Sequence, residues 1–420
     1  MHCGNVYDYD DFRMDCSEEH EASLLRTEYS KKLIIHDDAE GIFRYSDWLP
    51  LQRKFKGTRG PVVYHSKGLG SRLGLDNLYV AFNGYWPERG AFMETCSFKE
   101  LEVPGVCGRL PESEERVLVV SSAGNTGRAF LTLCSRNDIP VLVVVPDKYI
   151  HSLWSTEELS PRVKLLSVKG NVDYLDAIKL GGLISHFDGF LAEGGAKNVG
   201  RRDGMGVVVL AGTEAIGEIP DHYFQAVGSG TGGIAAWEMS LRLLEDGSFG
   251  KKRMHLHLSQ NIPFTPMVEA WKRGERRIDI PEEKKTKRLI DGLHSKVLSN
   301  RKPPYSIVGG VFDALTDSKG HMYGVTNEES LKAGFMFEKE EGIDLDPAAE
   351  VAVASLIQAV EAGNVKKKDV ILLNITGGGY KRLSSEKKPI YKEPDLSFTP
   401  NESDDFIRNS VEKLFQPEFV

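Results

Sequence analysis

The chain has 420 residues, with 53 basic and 61 acidic side chains and a formal net charge of −8, so two sub-domains of roughly 100 to 250 residues each are expected. Its basic residues form no long stripe, which argues against a nucleic-acid partner. No run of about 18 apolar residues occurs, and the polar start His2-Cys3-Gly4-Asn5 lacks the apolar stretch of a secretory signal, so a cytoplasmic protein with no membrane partner is expected.

In chain order, the first feature is a group of metal-ligand types. Cys3, Cys16 and His20 are residues that zinc takes, with His2 as a conceivable fourth ligand, but their spacing matches no paired C-x-x-C arrangement. A plain surface loop is the reading, with no metal. The five cysteines are odd in number and too sparse for a disulfide framework.

Ser97-Phe98-Lys99-Glu100 then supplies an amine, and Pro104 is expected to stop the helix that follows. Residues 117–120 read as a buried strand, residues 121–127 (Ser-Ser-Ala-Gly-Asn-Thr-Gly) as a loop, residues 126–136 as a helix and 141–145 as a second strand. The pattern repeats with a strand at 164–168 and a helix at 172–186, then a strand at 223–227 and a helix through Trp237 and Leu243. Strands alternating with helices imply a mainly parallel sheet covered on both faces. A strand at 254–258 is expected to end at Ser259-Gln260, and the charge-rich residues 272–287 to form an exposed loop or insertion. Asp346 should cap a helix running to Glu361, and residues 369–375 a last core strand ending in Thr376-Gly377-Gly378-Gly379.

Gly228, Gly230 and Gly233 satisfy G-x-G-x-x-G after a strand. A dinucleotide site would need an acidic residue at the end of the next strand, and none stands there. Four glycines and two hydroxyls suit a single terminal phosphate better: Ser229 and Thr231 can donate beside the backbone, and the helix dipole adds a favourable field. An amine, a small-residue anion loop and a phosphate cradle, in that order, suggest an enzyme built around pyridoxal phosphate, which a lysine holds as a Schiff base.

The segments at Lys99, 121–127, 228–233 and 374–379 resemble the successive motifs of the fold-type II pyridoxal phosphate enzymes, the tryptophan synthase β-like class, and most closely the threonine synthases, across residues 99–381. The resemblance implies an α/β fold of two mainly parallel-sheet sub-domains with the site in the cleft between them. Residues 1–98 and 206–420 would form the large cofactor-binding domain, and 99–205 a smaller mobile domain carrying the asparagine loop. It also implies that Lys99 is the catalytic lysine, that Asn125 bonds to the cofactor's ring hydroxyl, and that Gly228, Ser229, Gly230, Thr231 and Gly232 bind its phosphate. Thr376 would face the pyridine nitrogen, while Ser122, Ala123, Gly124 and Thr126 would hold a substrate carboxylate. Asn374 and Tyr380 flank the site. Threonine synthases generally continue F-K-D-R, whereas Glu100-Leu101-Glu102 follows Lys99 here, which suggests a different substrate contact.

Residues 82–88 and Gly377-Gly378-Gly379-Tyr380 resemble a branch of the threonine synthase family found in methanogenic archaea. Its members replace the phosphate of O-phospho-L-serine by sulfite, giving L-cysteate for coenzyme M. The implied reaction is therefore a β-replacement by a homo-oligomeric enzyme. Lys197, Arg201, Arg202 and Arg301 are candidate cationic partners for phosphate and sulfite. Two other readings are weighed: a threonine synthase acting on O-phosphohomoserine, and a non-catalytic protein that binds pyridoxal phosphate or another anion, which would need no lysine at the Schiff-base position.

Overall fold

Apolar runs such as Val141–Pro146 and Val163–Val168 are buried along most of their length, as strands covered on both faces must be. They belong to the smaller of two sheets in the computed structural model, which describes residues 2–8, 12–122 and 124–415. That sheet has five parallel strands in the order Leu396–Phe398, Val163–Val168, Val141–Pro146, Val117–Ser121, Phe190–Ala192. The larger has six, in the order Val62–His65, Asn77–Phe82, Val370–Ile375, His222–Ala226, His255–Asn261, His321–Val325. Only its first strand is antiparallel to its neighbour. The chain is thus an α/β protein built on two mainly parallel sheets, as the resemblance implied.

Alternation along each strand divides the cores. In the larger sheet Tyr223 and Leu372 face the helices Val199–Ile216 and Thr231–Asp246. Phe224, Ile371 and Leu373 face Asn327–Glu341 and Pro347–Glu361 on the other side. In the smaller sheet Leu118 and Val143 pack on the helix Asn125–Arg136 through Phe130 and Cys134. Val119 and Val144 meet Ala177 and Ile184 of Tyr174–Ile184 together with Ile407 and Val411 of Asp404–Phe415.

Several boundaries differ from expectation. The strand begun near Met254 runs to Asn261, so Ser259 and Gln260 lie inside it, and the residue at its end is still not acidic. Pro104 does not stop the helix after Lys99. It sits in the first turn of Glu102–Gly108, where an intrahelical N–H is not needed. The charged stretch 272–287 is not all loop, because Glu283–Asp291 is helical. The helix expected from 172 starts at Tyr174, since Asp173 accepts from the Leu175 N–H at 2.8 Å and caps it.

Two elements cross the expected domain limits. A boundary between residues 205 and 206 falls inside Val199–Ile216, whose Val207 to Val209 are fully buried against the larger sheet. At the other end, Leu396–Phe398 pairs with Val163–Val168, which carries this late segment onto the smaller sheet although it follows the last strand of the larger one. No helix among the described residues is long and apolar enough to cross a membrane.

Candidate active site

Lys99 sits in a short 3-10 turn, Phe98–Leu101, whose cap Ser97 accepts from the Lys99 N–H at 3.3 Å. The turn is fastened to the end of the central strand Val370–Ile375. Phe98 N–H donates to the Thr376 carbonyl at 3.0 Å, Gly378 N–H to the Cys96 carbonyl at 3.2 Å, and Ser97 bridges Gly377. Two motifs almost 280 positions apart in sequence, Lys99 and Thr376, therefore share one short backbone ladder.

The Lys99 amine, with its side chain 21% exposed, donates to Glu102 at 3.2 Å. Glu102, one turn further on, is fully buried. Burial works against its charge, but Arg201 and then Lys99 hold its carboxyl below the usual range, with the Thr126 hydroxyl adding a hydrogen bond. Arg201 lies 3.2 Å from Glu102 and donates to Glu193 at 2.6 Å. Burial disfavours its charge, and the two carboxylates more than offset this. The departure from F-K-D-R is thus a buried carboxylate beside the lysine.

Asn125 opens the helix Asn125–Arg136 just after the strand Val117–Ser121. Ser122 Oγ accepts from Gly127 N–H at 2.8 Å and Gly124 N–H at 3.3 Å, which shapes the loop. Ala123 lies outside the described residues. Arg128, three positions after Asn125, was not among the expected residues, yet its guanidinium donates to Asn125 Oδ1 at 2.8 Å, to the Thr95 carbonyl and to the Tyr380 hydroxyl at 2.9 Å. It clamps the asparagine loop to the segment before Lys99 and to the segment after Thr376. Its spacing from Asn125 on one helical face was the only sequence signal for it.

The 228–233 loop lies between the strand His222–Ala226 and the helix Thr231–Asp246. Ser229 and Thr231 hydroxyls stand 2.8 Å apart. The loop has no space for larger residues: a Cβ at Gly228 would sit 2.7 Å from the Val297 carbonyl, and one at Gly232 would collide with the Gln225 amide. A glycine-rich turn with two hydroxyls at a helix N-terminus fits a phosphate. Val297 also reaches across to the asparagine loop, where a Cβ on Gly124 would be 3.6 Å from its side chain, so both anion loops border the same cleft. Asn374 lies behind it, fully buried, donating to Tyr223 at 2.7 Å and accepting from Asn83 at 2.9 Å.

The four candidate cations are all engaged. Lys197 pairs with Asp15 at 2.7 Å, Arg202 with Glu238 at 2.9 Å in full burial, and Arg301 with Asp173 at 2.6 Å, while Arg201 serves Glu102 and Glu193. Their neighbours in space were not readable from neighbours in sequence.

Residues 69–377 match the family model described as pyridoxal-phosphate dependent enzyme. The chain is 50% identical over 399 residues to the cysteate synthase of Methanosarcina acetivorans, covering 94% of this chain and 95% of that one. It is 48% identical over 404 residues to that of Methanosarcina mazei, covering 96% of each. Among solved structures, maize serine racemase superposes with a TM-score of 0.57 at 14% identity, over 77% of this chain and 92% of that chain, a likeness of fold.

Proposed function

This chain belongs to the pyridoxal-phosphate dependent enzymes, in the branch of the cysteate synthases, and from that premise we propose that its cleft converts O-phospho-L-serine and sulfite into L-cysteate and phosphate. The observation that carries the reading is a near full-length match to cysteate synthases in a chain whose lysine turn, asparagine loop and glycine loop border one cleft.

The residues present suit the cofactor. Lys99 would hold it through Nζ, Asn125 would bond to its ring hydroxyl, residues 228–232 would cradle its phosphate, and the Thr376 hydroxyl would face the pyridine nitrogen. Bound there, pyridoxal phosphate supplies an electron sink for the α-carbon. A hydroxyl at the ring nitrogen, unlike a carboxylate, does not strongly favour its protonation, which leaves elimination competitive with transamination.

Lys99 Nζ would take the substrate's α-proton and later return it to the α-carbon. Glu102 favours the protonated amine in the interval, with Arg201 keeping the carboxylate charged. The bond from the β-carbon to the phosphate oxygen breaks with its electron pair leaving on phosphate, and the sulfur lone pair of sulfite forms the new carbon–sulfur bond. The loop residues Ser122, Ala123, Gly124 and Thr126, at the start of the helix Asn125–Arg136, would hold the substrate carboxylate. We assign the smaller sheet and the helices packed on it, which take in most of residues 99–205 and the late strand Leu396–Phe398, to a domain that closes over substrate and excludes water.

Product analysis of the purified protein tests this. O-phosphoserine with sulfite should yield cysteate far faster than O-phosphohomoserine yields threonine, because the extra methylene puts the phosphate out of register, a mismatch worth about 1 to 3 kcal/mol. Threonine without cysteate would return the chain to a threonine synthase reading with Lys99 still in place.

A further inference from the structure

We infer that Cys3, Cys16 and His20 form a structural zinc site at the start of the chain. Their ligand atoms lie within 4.8 Å of one another, although 12 residues separate the two cysteines. The Cys3 and Cys16 sulfurs are 3.6 Å apart. Two thiolates bound at about 2.3 Å on one tetrahedral zinc stand about 3.8 Å apart, whereas a disulfide needs about 2.05 Å.

The histidine is oriented as a ligand. Its Nδ1 is 2.6 Å from the Glu21 carbonyl, which makes that nitrogen the N–H donor and leaves the lone pair on Nε2. Nε2 is shielded from solvent and makes no hydrogen bond. A buried acceptor without a donor costs free energy unless something fills its place, and a metal ion between the two sulfurs would do so. The Cys16 sulfur is met by the Tyr7 hydroxyl at 2.9 Å and the Glu18 N–H at 3.5 Å, donors that steady a thiolate. Binding would release the two thiol protons to solvent. The fourth position is left to water or to His2, whose ring lies 4.8 Å from that of His20.

Such a staple has a mechanical use. The adjoining segment is seated on the body by polar contacts: Asp15 pairs with Lys197, the Arg13 carbonyl accepts from Arg109 at 3.0 Å, and Phe12 lies under that guanidinium. Among the described residues there Val6 is exposed and Phe12 only partly buried, so a metal supplies order that a core does not.

The full-length protein, produced with zinc in the medium and purified with a non-chelating reductant, should carry about one zinc per chain by elemental mass spectrometry, falling below about a tenth in the Cys3→Ser/Cys16→Ser double variant. The cofactor absorbance of that variant should be unchanged, which establishes that it folds. Cobalt added to metal-free wild type should give thiolate-to-metal charge-transfer absorption that His20→Ala alters. Should the double variant not fold, the wild-type cobalt spectrum and its change in His20→Ala decide the matter. Reduced wild type that takes up neither zinc nor cobalt would overturn the inference. So would equal zinc in the double variant, or recovery of Cys3–Cys16 only as a disulfide with no metal uptake after reduction.

Discussion

Lys99 and Glu102 lie one helical turn apart with an amine-to-carboxylate distance of 3.2 Å, and the chemistry proposed for the cleft passes through this pair. Borohydride reduction of the holoprotein followed by peptide mapping should mark Lys99 and no other lysine. Lys99→Ala should lose the covalently held, yellow cofactor, and turnover should fall by at least about 10²- to 10⁴-fold, the share general acid–base catalysis commonly supplies. A label elsewhere would remove Lys99 from its assigned role. Asn125→Ala and Thr376→Val each delete one hydrogen-bonding group, worth about 0.5 to 1.5 kcal/mol net. Both variants should fold while shifting the cofactor spectrum and slowing turnover. In the first, Arg128 also loses the partner it holds at 2.8 Å, so Asn125→Ala should perturb the loop more than Thr376→Val perturbs the strand end. Unchanged spectra and rates in both would mark them as ordinary turn and core positions.

At the scale of elements, the larger sheet carries an unusual load of imidazole. His222 pairs in register with His255 and His257 with His321, and the rings of His257 and His321 stack at 5.0 Å. His257 is fully buried, bonded to His222 at 2.9 Å and to the Tyr323 hydroxyl at 2.8 Å. Burial first, and then the neighbouring imidazoles, push its pKa down to about 2. Burial also lowers those of His222, in spite of Asp369, and of His321. A depressed folded pKa means that the unfolded chain takes up the proton first. Stability is therefore complete above the ordinary histidine value of 6.5 and is lost as pH falls from there toward about 2. Each pH unit within that window costs about 1.4 kcal/mol for one such group. Denaturant midpoints should stay nearly level from about pH 7.5 to about pH 6.5 and fall from there toward about pH 5.5, and His257→Gln should flatten that fall. An equally steep decline in the variant would place the acid sensitivity elsewhere.

For the molecule as a whole, one exposed apolar pair stands out on the larger domain. Leu331 and Phe335 stand four residues apart on the helix Asn327–Glu341 and are 52% and 74% exposed, an i, i+4 apolar pair of the kind that associating helices bury. Light scattering tests the expectation of a homo-oligomer: a mass above that of one 46.7 kDa chain would support it. A wild-type monomer at assay concentration would exclude it.

The sequence by itself determined the alternation of apolar strands and helices, and it marked the glycine loop, the lysine and the asparagine loop as candidate site segments, because each depends on residues close together along the chain. A buried strand needs a run of apolar side chains, and a phosphate turn needs glycines and hydroxyls at adjacent positions. What followed from contacts across long separations was decided only by tertiary structure. Arg128 is one of twelve residues in an ordinary helix until Thr95 and Tyr380 are brought against it. Glu102 reads as a surface carboxylate until Arg201 arrives 99 positions later. Leu396–Phe398 looks like a continuation of the larger domain until it pairs with Val163–Val168, and Cys3, Cys16 and His20 look like a loop until their ligand atoms converge. The common reason is that burial and charge pairing depend on what packs against a side chain, and periodicity along the chain reports only which face it occupies.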